Sequence, residues 1–339
     1  GVQLGNLGKS FTVRAAEGAV VTLSGAGIKP VLLFRNSVPV TAHTRVFEDL
    51  IFSDGYSSTN AIAGGVTLSK AVATFRRCTF MHSSSNASVT GGGGAAVFTD
   101  SIAHFFDCVW SGNSATNEGG GLRVGDGSSA YIHASQFNGN RVDLPHHRTT
   151  AAGGGLHITN SSVWVSNTRF YQNRAGYVGG ALYIIGNWVE PVGTPSATVD
   201  VANCTYVENI ATPDATVSPP SPSAGGGFHA EDQSTARIFN SRFENNTADT
   251  GGGVSVYRAI VEIDDSVFDR NIAVVTGWGG SGLGGAIGGT SNDAADQSTD
   301  FGAINRRTSS VTVRDSLLVG DPLASATKGG CIFLDGDSN

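Results

Sequence analysis

Charge is scarce in this chain. Only 14% of its 339 residues are Asp, Glu, Lys or Arg, and the formal net charge is −7. That balance offers no basic stripe, so nucleic acid is not an expected partner. No apolar run approaches the ~18 residues of a membrane helix, so this segment is not expected to insert into a membrane by a helix. Cysteine occurs four times and methionine once. There is no Cys-x-x-Cys, which argues against zinc. No residue set calls for a metal or a cofactor, and no P-loop or Rossmann glycine pattern is present. The chain opens at Gly1 with neither a starting Met nor a signal peptide, as expected of a mature chain or an excised piece. No helical period runs through it either.

Glycine is abundant, at 47 residues, and much of it is clustered. Clusters stand at Gly91–Gly94, Gly119–Gly121, Gly153–Gly155, Gly179-Gly180, Gly225–Gly227, Gly251–Gly253, Gly284-Gly285 and Gly329-Gly330. A second mark alternates with them, an aromatic residue with Asn three places later: Trp110/Asn113, Phe137/Asn140, Phe170/Asn173, Tyr206/Asn209, Phe243/Asn246 and Phe268/Asn271. A repeat of roughly 25–37 residues is the signature of a solenoid, because one unit cannot bury its apolar face without a neighbour.

The local period identifies the solenoid. Ahead of each aromatic, apolar residues alternate with polar ones, as in Ala73/Phe75, Ala103/Phe105, Val163/Val165 and Val261/Ile263. A second alternation, out of phase with the first, includes Cys78, Cys108, Ser135, Thr168 and Cys204 and then the aromatic itself. Period two means strand. Between the two alternations stand Asp49, Asp107, Asn167, Asn203, Asn240, Asp265 and Asp315, residues that tolerate the left-handed conformation of a sharp bend. A third alternation follows the glycines, at Leu122/Val124, Leu156/Ile158 and Leu182/Ile184. The expected fold is all-β, a right-handed parallel β-helix of about ten coils with three short strands per coil. At ~4.8 Å per coil its length is about 48 Å. A single domain is expected over residues 1–339, with irregular N-terminal coils at 1–63 and the repeats at 64–334. No polar cap follows the last repeat, so the native protein is expected to continue beyond Asn339.

The Asn and Gly ladders read as structure: stacked amides bond one another, and glycine permits close approach at a corner. Cys78 and Cys108 fall in adjacent coils, within reach of a disulfide or of stacked free thiols. Three outward-facing groups are candidates for function. His104, Phe106, Tyr131, His133 and Trp164 form an aromatic patch over three coils, suited to a protein neighbour, to cover by a flanking segment or to a sugar ring. Arg123, His157, Tyr183 and His229 form a row after the glycines that could supply the base and charge neutraliser of a polysaccharide lyase, or be a plain solvated face. Asn86, Asn160, Asn203 and Asn245 open Asn-x-Ser/Thr sequons for N-glycosylation. The adjacent His146-His147 is a poor metal site without a third ligand. The long links Arg141–Ala152, Gly186–Ala197, Ile210–Ala224, Ile272–Leu283 and Gly288–Ser309 are further places where function could reside.

The pieces Gly179-Gly180-Ala181-Leu182, Gly284-Gly285-Ala286-Ile287 and Gly329-Gly330-Cys331-Ile332, alternating with Phe137/Asn140, Phe170/Asn173, Phe243/Asn246 and Phe268/Asn271, resemble the repeat of polymorphic outer membrane proteins. Those are right-handed β-helix adhesins within the pectin-lyase-like superfamily. The resemblance implies an extracellular or cell-surface structural or adhesive module, packed against protein neighbours in a surface or fibrous assembly and in possible contact with carbohydrate. The alternative is a lyase or hydrolase of the same superfamily. Its polygalacturonases carry Asn-Thr-Asp, Asp-Asp, His-Gly and Arg-x-Lys motifs, of which only Asp264-Asp265 occurs here, so no catalytic residue is assigned and an enzyme is not the favoured expectation.

Overall fold

In the computed structural model the described residues are 2–4, 9–37, 45–87, 91–143, 151–186, 196–212, 223–274, 285–290, 310–319 and 332–335. Among them there are strands and turns and no helix. His146-His147, Cys331 and the greater part of the five long links lie outside the described residues.

Each coil visits four parallel sheets. One coil serves as the example. Leu122–Val124 lies in the glycine face, Ser129–His133 in the long face, Gln136–Asn138 in the aromatic face, and Arg141–Val142 in a narrow face. The next coil repeats the order in register, with Leu122 beside Leu156, Ile132 beside Val165 and Phe137 beside Phe170. Among the described residues the sheets hold eleven, ten, ten and eight strands. The narrow face is an addition to the three strands read from sequence. Its strands are only two residues long, as at Ser114–Ala115 and Arg174–Ala175, too short for an alternation to show.

The rows expected to point inward do so. Ala103, Phe105, Cys108 and Trp110 are each no more than 1% exposed, and the matching residues of the other complete coils are buried as well. The aromatics stack into one column, with ring centroids 5.1 Å apart from Phe80 to Trp110, 4.4 Å from Trp110 to Phe137 and 4.7 Å from Phe137 to Phe170. The column continues through Tyr206 and Phe243 to Phe268.

Beside it runs the amide column. Asn113 Nδ2 donates to Asn140 Oδ1 at 2.9 Å, and Asn140 Nδ2 to Asn173 Oδ1 at 3.0 Å. The relay passes through Asn209 and Asn246 to Asn271. The second proton of each Nδ2 goes to a backbone carbonyl, as from Asn173 to Phe137 at 2.9 Å. From Asn113 to Asn246 both amide protons are thereby satisfied, which is what makes the burial of these side chains tolerable.

The expected bends are left-handed, with φ of 58° at Asp49, 54° at Asp107 and 50° at Asn167. A second left-handed corner, between the aromatic and narrow faces, falls on His82, Gln172, Glu208, Asn245 and Arg270.

Candidate functional site

After the narrow face the chain does not enter the glycine face directly. It first crosses the outside of that sheet. Glu118, Ala152, Val178, Ala224 and Thr250 bridge one another in a parallel ladder there. The glycines then turn the chain inward. In the five clusters from Gly119 to Gly251 the first glycine has positive φ, +61° at Gly119 and +68° at Gly153. It also lies against the outward row, since a Cβ on Gly153 would sit 2.8 Å from His157 Cβ, and one on Gly179 2.7 Å from Tyr183 Cβ.

This crossing segment determines what the outward row can do. Arg123, His157, Tyr183 and His229 are in register on four successive strands, as their spacing predicts. They are not a solvated face, contrary to the sequence expectation. Their exposures are 3%, 2%, 6% and 3%. The Arg123 guanidinium lies 4.5 Å over the Phe98 ring and pairs with Glu118. His157 shares a hydrogen bond of 2.9 Å with Thr159 Oγ1 through Nε2, while its Nδ1 is left without a partner, 3.9 Å from the Glu118 carboxylate. Burial, with Arg123 beside it, holds His157 well below the usual imidazole range. Burial raises the Glu118 carboxyl despite Arg123.

At the other end of the row Tyr183 OH donates to Glu231 at 2.7 Å, and His229 Nε2 lies 3.5 Å from the same carboxylate. Burial and then the Glu231 charge push the phenol well above its ordinary value. Burial acts to raise Glu231 too, but His229, Tyr183 and Arg258 together bring it below its ordinary value. Sequence reasoning missed Glu118 and Glu231. Neither belongs to a repeated chemical row, so no periodic signal marks them.

The aromatic patch lies where its spacing places it, on the outside of the long face. His104 and Tyr131 stack at 4.7 Å with planes 8° apart, and Tyr131 and Trp164 at 4.6 Å and 4°. Phe106 meets His133 edge-on at 6.4 Å and carries the Arg76 guanidinium 4.7 Å over its ring. Tyr131 and Trp164 remain 37% and 38% exposed. Because the rings stack on one another, both faces of Tyr131 are occupied, and ring edges are what it presents to water.

Of the sequons, Asn86 and Asn203 are exposed, whereas Asn160 and Asn245 are half-buried at left-handed corners. Asn203 Oδ1 accepts from Asn240 Nδ2 at 2.7 Å. Cys78, Cys108 and Cys204 are free and buried. Asp264, Asp265 and Asp315 bring one carboxylate oxygen each to within 4.8 Å of one another, an acidic cluster not anticipated from sequence.

Comparison with known proteins agrees with this architecture. Over 130 residues the chain is 33% identical to metabotropic glutamate receptor-like protein R of Dictyostelium discoideum. The matched stretch is 38% of this chain and 7% of that protein, so the likeness concerns a small part of the relative's length. The family described as the right-handed β-helix region matches residues 64–282, well over half of the chain. Its span falls within the stacked glycine, long and aromatic faces, and on those grounds this chain belongs to the right-handed β-helix family.

Proposed function

We propose that this chain is a non-catalytic structural or adhesive module of an extracellular surface assembly, with repeats of the polymorphic outer membrane protein type. The observation that carries this reading is the burial of Arg123, His157, Tyr183 and His229. A lyase needs its base in contact with a sugar carbon, and the crossing segment occupies that space. An elimination base must also give up its own proton readily, whereas burial and Glu231 hold the Tyr183 phenol protonated. Similarity to a receptor-like protein is in keeping with a surface location. Asn86 is the sequon best placed to carry a glycan, being exposed and free of a left-handed corner. The deciding experiment is an assay against uronate-containing polysaccharides, read at the absorbance of the unsaturated product. No product is expected. Turnover that disappears in Tyr183→Phe or His157→Ala would establish the lyase instead.

A further inference from the structure

The outward row that carries the aromatic stack has one rung unfilled. In register it reads His104, Tyr131, Trp164, Asp200, Arg237 and Glu262. The first three stack ring on ring at the coil spacing, 4.7 and 4.6 Å apart. The stack stops at Trp164, whose second face looks toward the coil of Asp200. Asp200 is short, and the outward residues on either side of it, Thr198 and Ala202, are small. The next coil rises again with Arg237 and Phe239. Residues 198–202 therefore make a notch across the long face. Its walls are the Trp164 ring and the Arg237 stem, and its floor is a carboxylate. The walls belong to strands two coils apart, about 9.6 Å. That is room for one flat group at stacking distance from Trp164.

The floor of the notch has no charge to match it. Arg237 lies between Asp200 and Glu262, and its Nε is 3.5 Å from the Glu262 carboxylate, on the side away from the notch. Asp200 is exposed, and among the described residues it makes no hydrogen bond and no ion pair. Elsewhere the chain twice completes the same three-part arrangement. Arg258 lies 4.3 Å over the Tyr257 ring and pairs with Asp232 at 2.8 Å. Arg123 lies over the Phe98 ring and pairs with Glu118. At Trp164 and Asp200 the ring and the carboxylate are in place, and this chain supplies no guanidinium.

We propose that the notch is an arginine-binding subsite, in which a guanidinium from a partner protein stacks on Trp164 and donates two N–H bonds to Asp200. This rests on the reading of the chain as an assembly module and names the group its neighbour presents. Three properties select the occupant. It must be flat to fill one rung, it must carry donors at its edge to meet the carboxylate, and positive charge favours it. Guanidinium combines all three, with a fork of N–H groups that matches a carboxylate. Tryptophan is the best aromatic platform for a cation. An ammonium is a point charge without a face to stack, and a sugar ring is puckered and uncharged. The net charge of −7 also draws cationic partners toward the chain.

The test follows the indole N–H resonances of the intact chain by NMR. There are four tryptophans, and the resonance lost in Trp164→Phe belongs to Trp164. The probe is the blocked tripeptide acetyl-Gly-Arg-Gly-amide, beside its lysine and citrulline counterparts and methyl glucoside. The arginine peptide is expected to shift the Trp164 resonance saturably and to bind more tightly than the other three. Asp200→Asn should weaken it by about tenfold or more, as expected for a lost charge-assisted pair. Asp200→Phe fills the rung with a ring and should abolish it. An unmoved resonance of the buried Trp110 checks that both variants remain folded. No shift of Trp164 by the arginine peptide overturns the proposal. So does a lysine peptide that binds as well, or an Asp200→Asn chain that binds unchanged. Methyl glucoside binding at Trp164 more tightly than the arginine peptide overturns it in favour of a sugar. In each of those cases the absence of lyase turnover would leave the module reading standing.

Discussion

The three glycines at 153–155 are not equivalent, and substitution by alanine should separate them. A Cβ on Gly154 would stand 2.4 Å from the carbonyl oxygen of Arg174 and 2.4 Å from that of Gly180. Carbon meets a carbonyl oxygen at about 3.3–3.6 Å, so roughly 1 Å must be found between two backbones. Neither can move freely, because Gly154 N bonds Gly179 O at 3.1 Å and Arg174 N bonds Asn140 O at 2.9 Å. Overpacking costs about 1–3 kcal/mol and each sacrificed hydrogen bond about 1 kcal/mol, so Gly154→Ala should lose about 3–5 kcal/mol. At Gly155 the close atoms are Ala181 O at 2.7 Å, Phe170 Cδ1 at 3.2 Å and Asn173 Cγ at 3.3 Å. Yet Ala181 and Ala286 occupy the same register in other coils and are buried there. The fold therefore accommodates alanine at this position, and Gly155→Ala should lose about 1 kcal/mol. Gly153→Ala falls between, since its φ of +68° carries a left-handed penalty of about 1–2 kcal/mol. Urea unfolding followed by far-UV circular dichroism measures all three. A loss at Gly154→Ala no greater than that at Gly155→Ala refutes the reasoning.

Two further outcomes follow from buried polar groups. The unfolded chain protonates His157 near pH 6.5, whereas the folded chain resists the proton well below that value. Below about pH 6.5 the unfolded state thus binds more protons, and stability falls as pH falls, by up to about 1.4 kcal/mol per pH unit for this one site. Urea midpoints between pH 7.5 and 5.5 should show the decline, and His157→Gln should flatten it; an unchanged slope in the variant would show that His157 is not its source. The hydroxyl of Tyr206, inside the aromatic column, is buried with no hydrogen-bond partner. Tyr206→Phe removes that desolvation cost and keeps the ring stacks, so it should raise stability by up to about 1 kcal/mol, and a loss by the same urea measurement would contradict the account.

What the sequence disclosed depended on repetition. The inward rows and the Asp/Asn bend were legible because most coils spend the same chemistry at the same place, as Asp107, Asn167 and Asn203 do, with Arg77 and Ala134 the exceptions at the bend. The second left-handed corner was not legible, because His82, Gln172, Glu208 and Arg270 share a backbone conformation and no side-chain property. The burial of the Arg123–His229 row was hidden for a related reason. Its cover is a single bridging residue per coil, and Glu118, Ala152, Val178 and Thr250 have no common character. One clue was present in the triple glycines. A corner needs only one residue of positive φ; the second glycine marks a backbone passing closer than any side chain allows, and the third a position tight enough to take nothing larger than the alanine of Ala181 and Ala286.

The amide column gives the rod a direction. Each of the five amide-to-amide hydrogen bonds from Asn113 to Asn271 points the same way, N–H toward the C-terminal coil. Six amide dipoles of about 3.5 D each, aligned head to tail, sum to roughly 20 D along the axis. The two ends of the rod are therefore electrically different, and end-to-end contact is favoured in only one polarity, as with magnets in a line. Rods side by side prefer to alternate, because antiparallel neighbours cancel each other's field.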